Sequence, residues 1–260
     1  MKKERHPEEA AQRPSRRTHN RFSETAVEAL RRPRAILFDW DNTLVDSWAT
    51  IHEALNFLMR AMDKSEWSLA ETRERVRLSL RESFPPLFGE RWEEARGIYL
   101  KRFQEIHLER LTAMPGREAM LRALHGEGIY LGIVSNKTGS ILRREADRLD
   151  WSRFFGSIVG AGDAPADKPA REPVHLALAP SGVPAGAEVW FVGDTAVDME
   201  CAQNSGCIAV LLGDGAPPGE LPAELPGEFA RFAPDLSFAD AAGLFRALEG
   251  LRFDARRPSS

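Results

Sequence analysis

Arg34-Ala35-Ile36-Leu37-Phe38-Asp39-Trp40-Asp41-Asn42-Thr43 is the stretch on which the fold of this chain turns. An apolar run from Ala35 to Phe38 stops at two carboxylates spaced two residues apart. A short apolar run bounded by charge reads as a strand covered on both faces, as parallel sheets require. The end of such a strand delivers Asp39 and Asp41 to the rim of the sheet, where open α/β folds place their ligands. Asn42 suits the turn that follows, because after glycine it best tolerates a left-handed backbone.

Working outward, further apolar runs at 129–135, 157–161, 188–193 and 207–212 join the one at 34–39 as predicted strands. Amphipathic stretches such as Arg117 to His125, Ser140 to Arg148 and Val197 to Asn204 separate them, and Gly or Pro marks the joints. Strand and helix in alternation predict an α/β fold with a parallel, doubly wound sheet. Residues 48–112 break this rhythm and show no convincing strand. Three helical patterns occupy them: Ile51, Leu55, Leu58 and Met62; Val76, Leu80 and Phe84; and Trp92, Ile98, Phe103 and Ile106. Ser68-Leu69-Ala70-Glu71 matches a capping box, a local sign of a helix start. The expected organisation is a core over 34–47 and 113–250, with a helical cap of 48–112 inserted after the first strand and lying over the sheet's C-terminal edge. A Pro/Gly-rich connection at 214–235 and a tail at 251–260 complete it.

Composition narrows the function classes. The 260 residues are 43% hydrophobic and 28% charged, ordinary values for a soluble enzyme. No apolar run approaches the roughly 20 residues that span a bilayer. A formal charge of −4 gives no reason to expect nucleic acid as the main partner. Cys201 and Cys207 form no metal or disulfide pattern and read as small packed residues in a reducing, cytoplasmic protein. Residues 1–33 are polar and basic and read as a solvated, disordered arm. The alternative is an electrostatic tether for an anionic partner through Arg13, Arg16, Arg17 and Arg21. The oligomeric state is left open.

A D-x-D turn by itself is most often an Asx-type cap. Its company here changes the reading. Other predicted strands end at Ser135-Asn136, near Asp163 to Lys168, and at Gly193-Asp194, with Asp198 four residues on. Several carboxylates in one cleft repel unless a cation neutralises them, and oxygen-only ligands favour Mg²⁺, which also binds phosphate. Phosphoryl transfer follows as the chemical reading. Asp39 is the candidate nucleophile, forming an aspartyl-phosphate. Asp41 is the candidate proton donor and acceptor. Ser135 offers a hydroxyl to a phosphoryl oxygen, and Lys168 balances negative charge and holds the nucleophile in place.

These residues resemble the haloacid dehalogenase-like hydrolase superfamily, in its branch similar to phosphoglycolate phosphatases. Asp39-Trp40-Asp41-Asn42-Thr43-Leu44-Val45-Asp46-Ser47 resembles its first motif, Ser135-Asn136-Lys137 the second, Lys168-Pro169 the third, and Gly193-Asp194 with Asp198 the fourth. The resemblance implies a Rossmann-like core and a helical cap. It implies Mg²⁺ held by Asp39, the Asp41 carbonyl and Asp194, with Asp198 behind them, and phosphate contacts from Ser135, Asn136 and Lys168. Arg77, Ser79 and Arg81 fall where the family's cap contacts substrate; the plainer reading is an exposed helix face. His52 and His107 read as helix-surface or cap-interface residues, and the cap's Trp and Phe residues as core. Trp40 and Asn42 stand where leucine and glycine are usual in the first motif, and Arg171 where a second proline often follows Lys-Pro.

The resulting expectation is a Mg²⁺-dependent phosphatase acting on a small phosphorylated metabolite. A phosphomutase similar to β-phosphoglucomutase keeps the same motifs and is the alternative. A carbon–halogen hydrolase fits less well, since Asp41 is present. A non-catalytic phosphate-binding or interaction module fits least, because Asp39, Asp41, Lys168 and Asp194 are all intact.

Overall fold

The computed structural model describes residues 32–213 and 227–254. Six strands form one parallel sheet: β1 (Ala35–Phe38), β4 (Tyr130–Thr138), β5 (Ser157–Ala161), β6 (Val189–Gly193), β7 (Ile208–Leu212) and β8 (Leu236–Phe238). Their order is β5-β4-β1-β6-β7-β8, so β1 lies between β4 and β6. Since the pairs are parallel, the C-terminal ends of β4, β1 and β6 emerge along one edge.

Alternation along β1 shows why both faces are covered. Ile36 and Phe38 join one apolar cluster with Leu121, Leu124, Leu142 and Leu248; Ala35 and Leu37 join another with Val174, Leu178, Met199 and Ala202. The first cluster is built by α5 (Arg117–Gly126), α6 (Gly139–Arg148) and α9 (Ala241–Asp254), and the second by α7 (Glu172–Leu178) and α8 (Ala196–Asn204). Successive strand side chains point to opposite faces, so an all-apolar strand needs helices on both. The architecture is the Rossmann-like α/β arrangement expected.

Between two-residue strands β2 (Val45–Asp46) and β3 (Thr112–Ala113), which pair antiparallel, lie α1 (Trp48–Ala61), α2 (Leu69–Arg75), α3 (Leu80–Phe88) and α4 (Trp92–Arg110). Of these, α1, α3 and α4 share a core of Ile51, Leu55, Leu58, Met59, Phe84, Phe88, Tyr99 and Phe103, to which α6 contributes Ile141. Phe84, Tyr99 and Phe103 are in ring contact in turn, at centroid separations of 5.8 and 5.7 Å. The capping box forms: Ser68 Oγ accepts from the Glu71 N–H at 3.2 Å, and the Glu71 carboxylate accepts from the Ser68 N–H at 2.8 Å.

Several elements differ from expectation. The helical pattern carrying Val76, Leu80 and Phe84 is two helices, because Val76 takes an extended backbone and ends α2. Strand β4 runs on through the second motif to Thr138. Strand β8 is too short to show an alternating pattern, and α9 carries the chain to Asp254, into the expected tail. The arginines of the basic arm (Arg13, Arg16, Arg17, Arg21) and residues 214–226 of the connection lie outside the described residues. Among those described, no helix is long and apolar enough to cross a membrane.

One glycine fixes how closely β5 approaches the second motif. A Cβ on Gly160 would stand 2.4 Å from the Gly139 Cα and 2.6 Å from the Lys137 carbonyl oxygen. Backbone cannot move aside as a side-chain tip can. Gly160→Ala is therefore expected to destabilise by about 1–3 kcal/mol, the usual range for overpacking. Gly186→Ala, whose added methyl meets nothing within 4 Å, is expected to change stability little. Denaturant titration of the two variants side by side checks this.

Candidate active site

Asp39 continues the ladder past β1 by donating its N–H to the Val192 carbonyl at 2.8 Å. The next residues form a tight turn in which Asn42 has φ 63°, the left-handed backbone expected of it. That turn is closed by the Leu44 N–H to Trp40 carbonyl and Asn42 N–H to Val45 carbonyl bonds. It brings Thr43 back across β6, where its hydroxyl donates to Asp194 at 2.9 Å. Asp194 itself directly follows β6, on the same sheet edge.

Lys168 ties the edge together. Its ammonium donates to Asp39 at 2.6 Å and to Asp198 at 2.7 Å, and all three side chains are at least nine-tenths buried. Asp198 reaches it from the first turn of α8, where its other oxygen accepts from the Thr195 N–H and hydroxyl, capping the helix. Gly193 makes this reach possible: a Cβ there would lie 2.3 Å from the Asp198 Cγ. The Lys168 backbone is clamped by Asn136, whose carbonyl oxygen accepts from the Lys168 N–H at 3.0 Å while its amide donates to the Lys168 carbonyl at 3.2 Å. Asn136, read as a phosphate contact, thus commits its side chain to holding the lysine loop. Ser135 Oγ accepts from the Lys137 N–H at 3.3 Å, which occupies a lone pair and not its proton.

These groups surround a cavity of about 120 Å³. Asp39, Asp41, Ser135, Lys168 and Asp198 line its floor, and Trp48, Ile51, Arg77, Tyr99 and Phe103 its roof. Of the three cap residues singled out in the sequence, only Arg77 lines it. Arg81 instead ion-pairs with the buried carboxylate of Asp167, a strap from α3 to the loop before Lys168. Ser79 occupies the N-cap position of α3 and is buried. The plainer reading of an exposed helix face fails for the buried Ser79 but holds for Arg81, which is exposed on α3 and reaches Asp167 from there.

Burial dominates the electrostatics. It pushes the Asp39 carboxyl up to about 6; Lys168 opposes this, while Asp198 and Asp41 add to it. Asp194 is raised well above the usual carboxylate range, first by burial and then by Asp198 and Asp39. Burial alone would lower Lys168, but Asp198 and Asp39 outweigh it and hold the ammonium charged. Carboxylate oxygens of Asp39, Asp194 and Asp198 lie within 4.8 Å of one another. Lys168 supplies one positive charge against these three acids. Hard oxygen donors short of counter-charge suit a small divalent cation such as Mg²⁺, so the residues fit one. With both Asp198 oxygens already accepting from protein donors, Asp39 and Asp194 are the better placed to bind it.

Asp41 faces a second group of charges that the sequence did not single out. Lys137 Nζ lies 2.6 Å from Asp41 and 2.6 Å from Glu145. Glu145 also accepts from the Trp40 indole at 2.7 Å and pairs with His107 Nδ1 at 2.8 Å. Lys137 had been visible inside the second motif, without a role. Glu145 sits among arginines on α6, where nothing local separates it from a solvated helix charge. His107 takes the cap-interface alternative, whereas His52 stays within the insert, bonded to Thr72 at 2.9 Å. Cys201 and Cys207 are free, buried thiols; burial pushes both up, Cys207 to about 11.

The model of the haloacid dehalogenase-like hydrolase family matches residues 36–212. A phosphoglycolate phosphatase of Pseudomonas syringae pv. tomato is 28% identical over 243 residues, covering 88% of this chain and 86% of its own. Another, from Cereibacter sphaeroides, is 30% identical over 201 residues, covering 72% and 89%. In fold, a haloacid dehalogenase-like family protein of Streptococcus pneumoniae superposes with a TM-score of 0.69 at 23% identity, covering 82% of this chain and 96% of that one. The match spans the strand ends, the lysine loop and the helical insert together. The chain belongs to the haloacid dehalogenase-like hydrolases, in their phosphoglycolate phosphatase-like branch, and is an enzyme of that class.

Proposed function

We propose that this hydrolase is a Mg²⁺-dependent phosphatase that removes phosphate from a small metabolite through an aspartyl-phosphate on Asp39. The observation that carries the reading is the buried Lys168 ammonium held between Asp39 and Asp198 at the mouth of β1. A carboxylate so placed is oriented and charge-balanced as a nucleophile. In the first half-reaction an Asp39 oxygen attacks phosphorus as the ester oxygen leaves, taking a proton from Asp41. In the second, water attacks the aspartyl-phosphate and gives its proton to Asp41, releasing phosphate and restoring Asp39. Ser135 donates its hydroxyl proton to a phosphoryl oxygen, while Asn136 keeps Lys168 in register. Asp39, Asp194 and the Asp41 carbonyl would hold Mg²⁺, with Asp198 behind them. The ion would neutralise the acids and polarise the phosphoryl group.

The helices α1–α4 act as the cap, covering the cavity and excluding water. Phosphoglycolate, the substrate in the relatives' name, is the first to try, and Arg77 is the cationic side chain of the roof suited to a second anionic group. Free, buried cysteines and the absence of a cationic surplus support a cytoplasmic enzyme without a nucleic-acid partner.

Asp39→Asn is expected to lower phosphate release from p-nitrophenyl phosphate at least about 10³-fold, the scale of losing a nucleophile. EDTA is expected to abolish release, and added Mg²⁺ to restore it. Activity surviving either treatment refutes the mechanism. With a sugar phosphate as substrate, free phosphate is expected without prior isomerised product; the reverse order marks a mutase.

Lys168→Met leaves the buried Asp39 and Asp198 without their cation. Breaking such a pair costs about 3–5 kcal/mol, so a fall of that size in denaturant-unfolding stability is expected, with loss of turnover. Unchanged stability would show that the ammonium is not what balances these carboxylates.

A further inference from the structure

Among the described residues, the group around Glu145 is the largest set of buried charges that the proposed reaction leaves unused. Its side chain is 2% exposed, and those of His107 and Lys137 are 1% and 5% exposed. Burying a carboxylate is costly unless its oxygens are satisfied. Here they are: Oε1 meets His107 Nδ1, and Oε2 meets the Trp40 indole and the Lys137 ammonium. Three donors from three elements converge on one acceptor. Trp40 comes from the turn after β1, Lys137 from the end of β4 and His107 from the last turns of α4 in the insert. Lys137 is further confined by the Phe103 ring, 5.0 Å from its nitrogen, and Phe103 lies 5.5 Å from His107.

The outer end of this chain is Asp41. A lysine on four rotatable carbons would ordinarily sample many positions, and a lone ammonium beside Asp41 would collapse onto it or onto an arriving phosphate. Glu145 holds the same ammonium at the same 2.6 Å and so fixes where it stands. Trp40, which replaces the usual leucine between the two aspartates, then has a stated use: its N–H helps to hold Glu145.

We propose that Glu145 is a positioning residue for Asp41, acting through Lys137 and held in place by Trp40 and by His107 of the insert. The proposal rests on reading Asp41 as the acid that protonates the leaving oxygen. Because His107 belongs to the insert, the acid is aligned only while α4 is seated on α6. A proton donor misplaced by a fraction of an ångström loses much of the 10²–10⁴-fold that such a group contributes.

The test compares two esters that need the acid to different degrees. p-Nitrophenolate leaves without protonation, whereas the alkoxide of 2-phosphoglycolate does not. The ratio kcat/KM reports only steps up to departure of the leaving group, so the later use of Asp41 as base does not enter. Glu145→Gln and Lys137→Met are each expected to lower kcat/KM for 2-phosphoglycolate at least about 10-fold and for p-nitrophenyl phosphate less than about 3-fold. The double variant is expected to match the larger single loss, since both act on one acid. Glu145→Gln keeps Lys137 paired with Asp41, so it is the variant expected to fold if Lys137→Met, which leaves two carboxylates without their cation, does not. Parallel losses on the two esters, or no loss on either in folded protein, overturn the positioning role. If the wild-type enzyme hydrolyses neither ester, the phosphatase reading falls and this one with it.

Discussion

A buried ammonium between two buried carboxylates is the constraint around which this molecule is organised. Lys168, Asp39 and Asp198 come from three separate segments, and none would be stable in the interior without the others. Their convergence demands the parallel order that sets β1 beside β6. It demands a glycine at 193, so that a helix-capping carboxylate can cross the strand end. It also demands an asparagine at 136 that pins the lysine backbone. Each is a local choice explained by one distant charge.

The insert is joined to this edge at two points of unlike character. Arg81 reaches from α3 to Asp167, just before Lys168 in sequence. His107 reaches from α4 to Glu145, and so to the neighbourhood of Asp41. The first tie ends beside Lys168 in sequence, and the second reaches Asp41 through Glu145 and Lys137. The apolar cluster of the insert adds Ile141 of α6 between them. Seating of the helices and alignment of the charged floor are therefore linked through contacts at both sides of the cavity.

Much of the fold was legible because its signals are local. Strands covered on both faces are continuous apolar runs, and Ile36 to Phe38 or Val189 to Val192 can be little else. Asn42 announced its own turn, and Ser68 with Glu71 its own helix start. Less visible were features whose determinants lie elsewhere in the chain. Strand β8 is too short for any pattern, and the split between α2 and α3 follows from the extended backbone of Val76 rather than from a helix-breaking residue. Asn136 could be read as a ligand contact because an amide's partners are unknown until the Lys168 loop lies against it.

By itself the sequence marked the alternation of the longer strands and helices, the helical stretch that interrupts it, and the acids, lysine and serine that stand at the strand ends, since each is signalled by pattern or spacing within a few residues. Only the tertiary structure decided which cation pairs with which acid. Lys168 and Lys137 look alike as sequence, yet one serves Asp39 and Asp198 and the other Asp41 and Glu145. It also made Glu145, one charge among the arginines of α6, the hub of a buried network. The reason is physical: an ion pair is chosen by distance and burial, and both are properties of the packed chain rather than of any stretch of it.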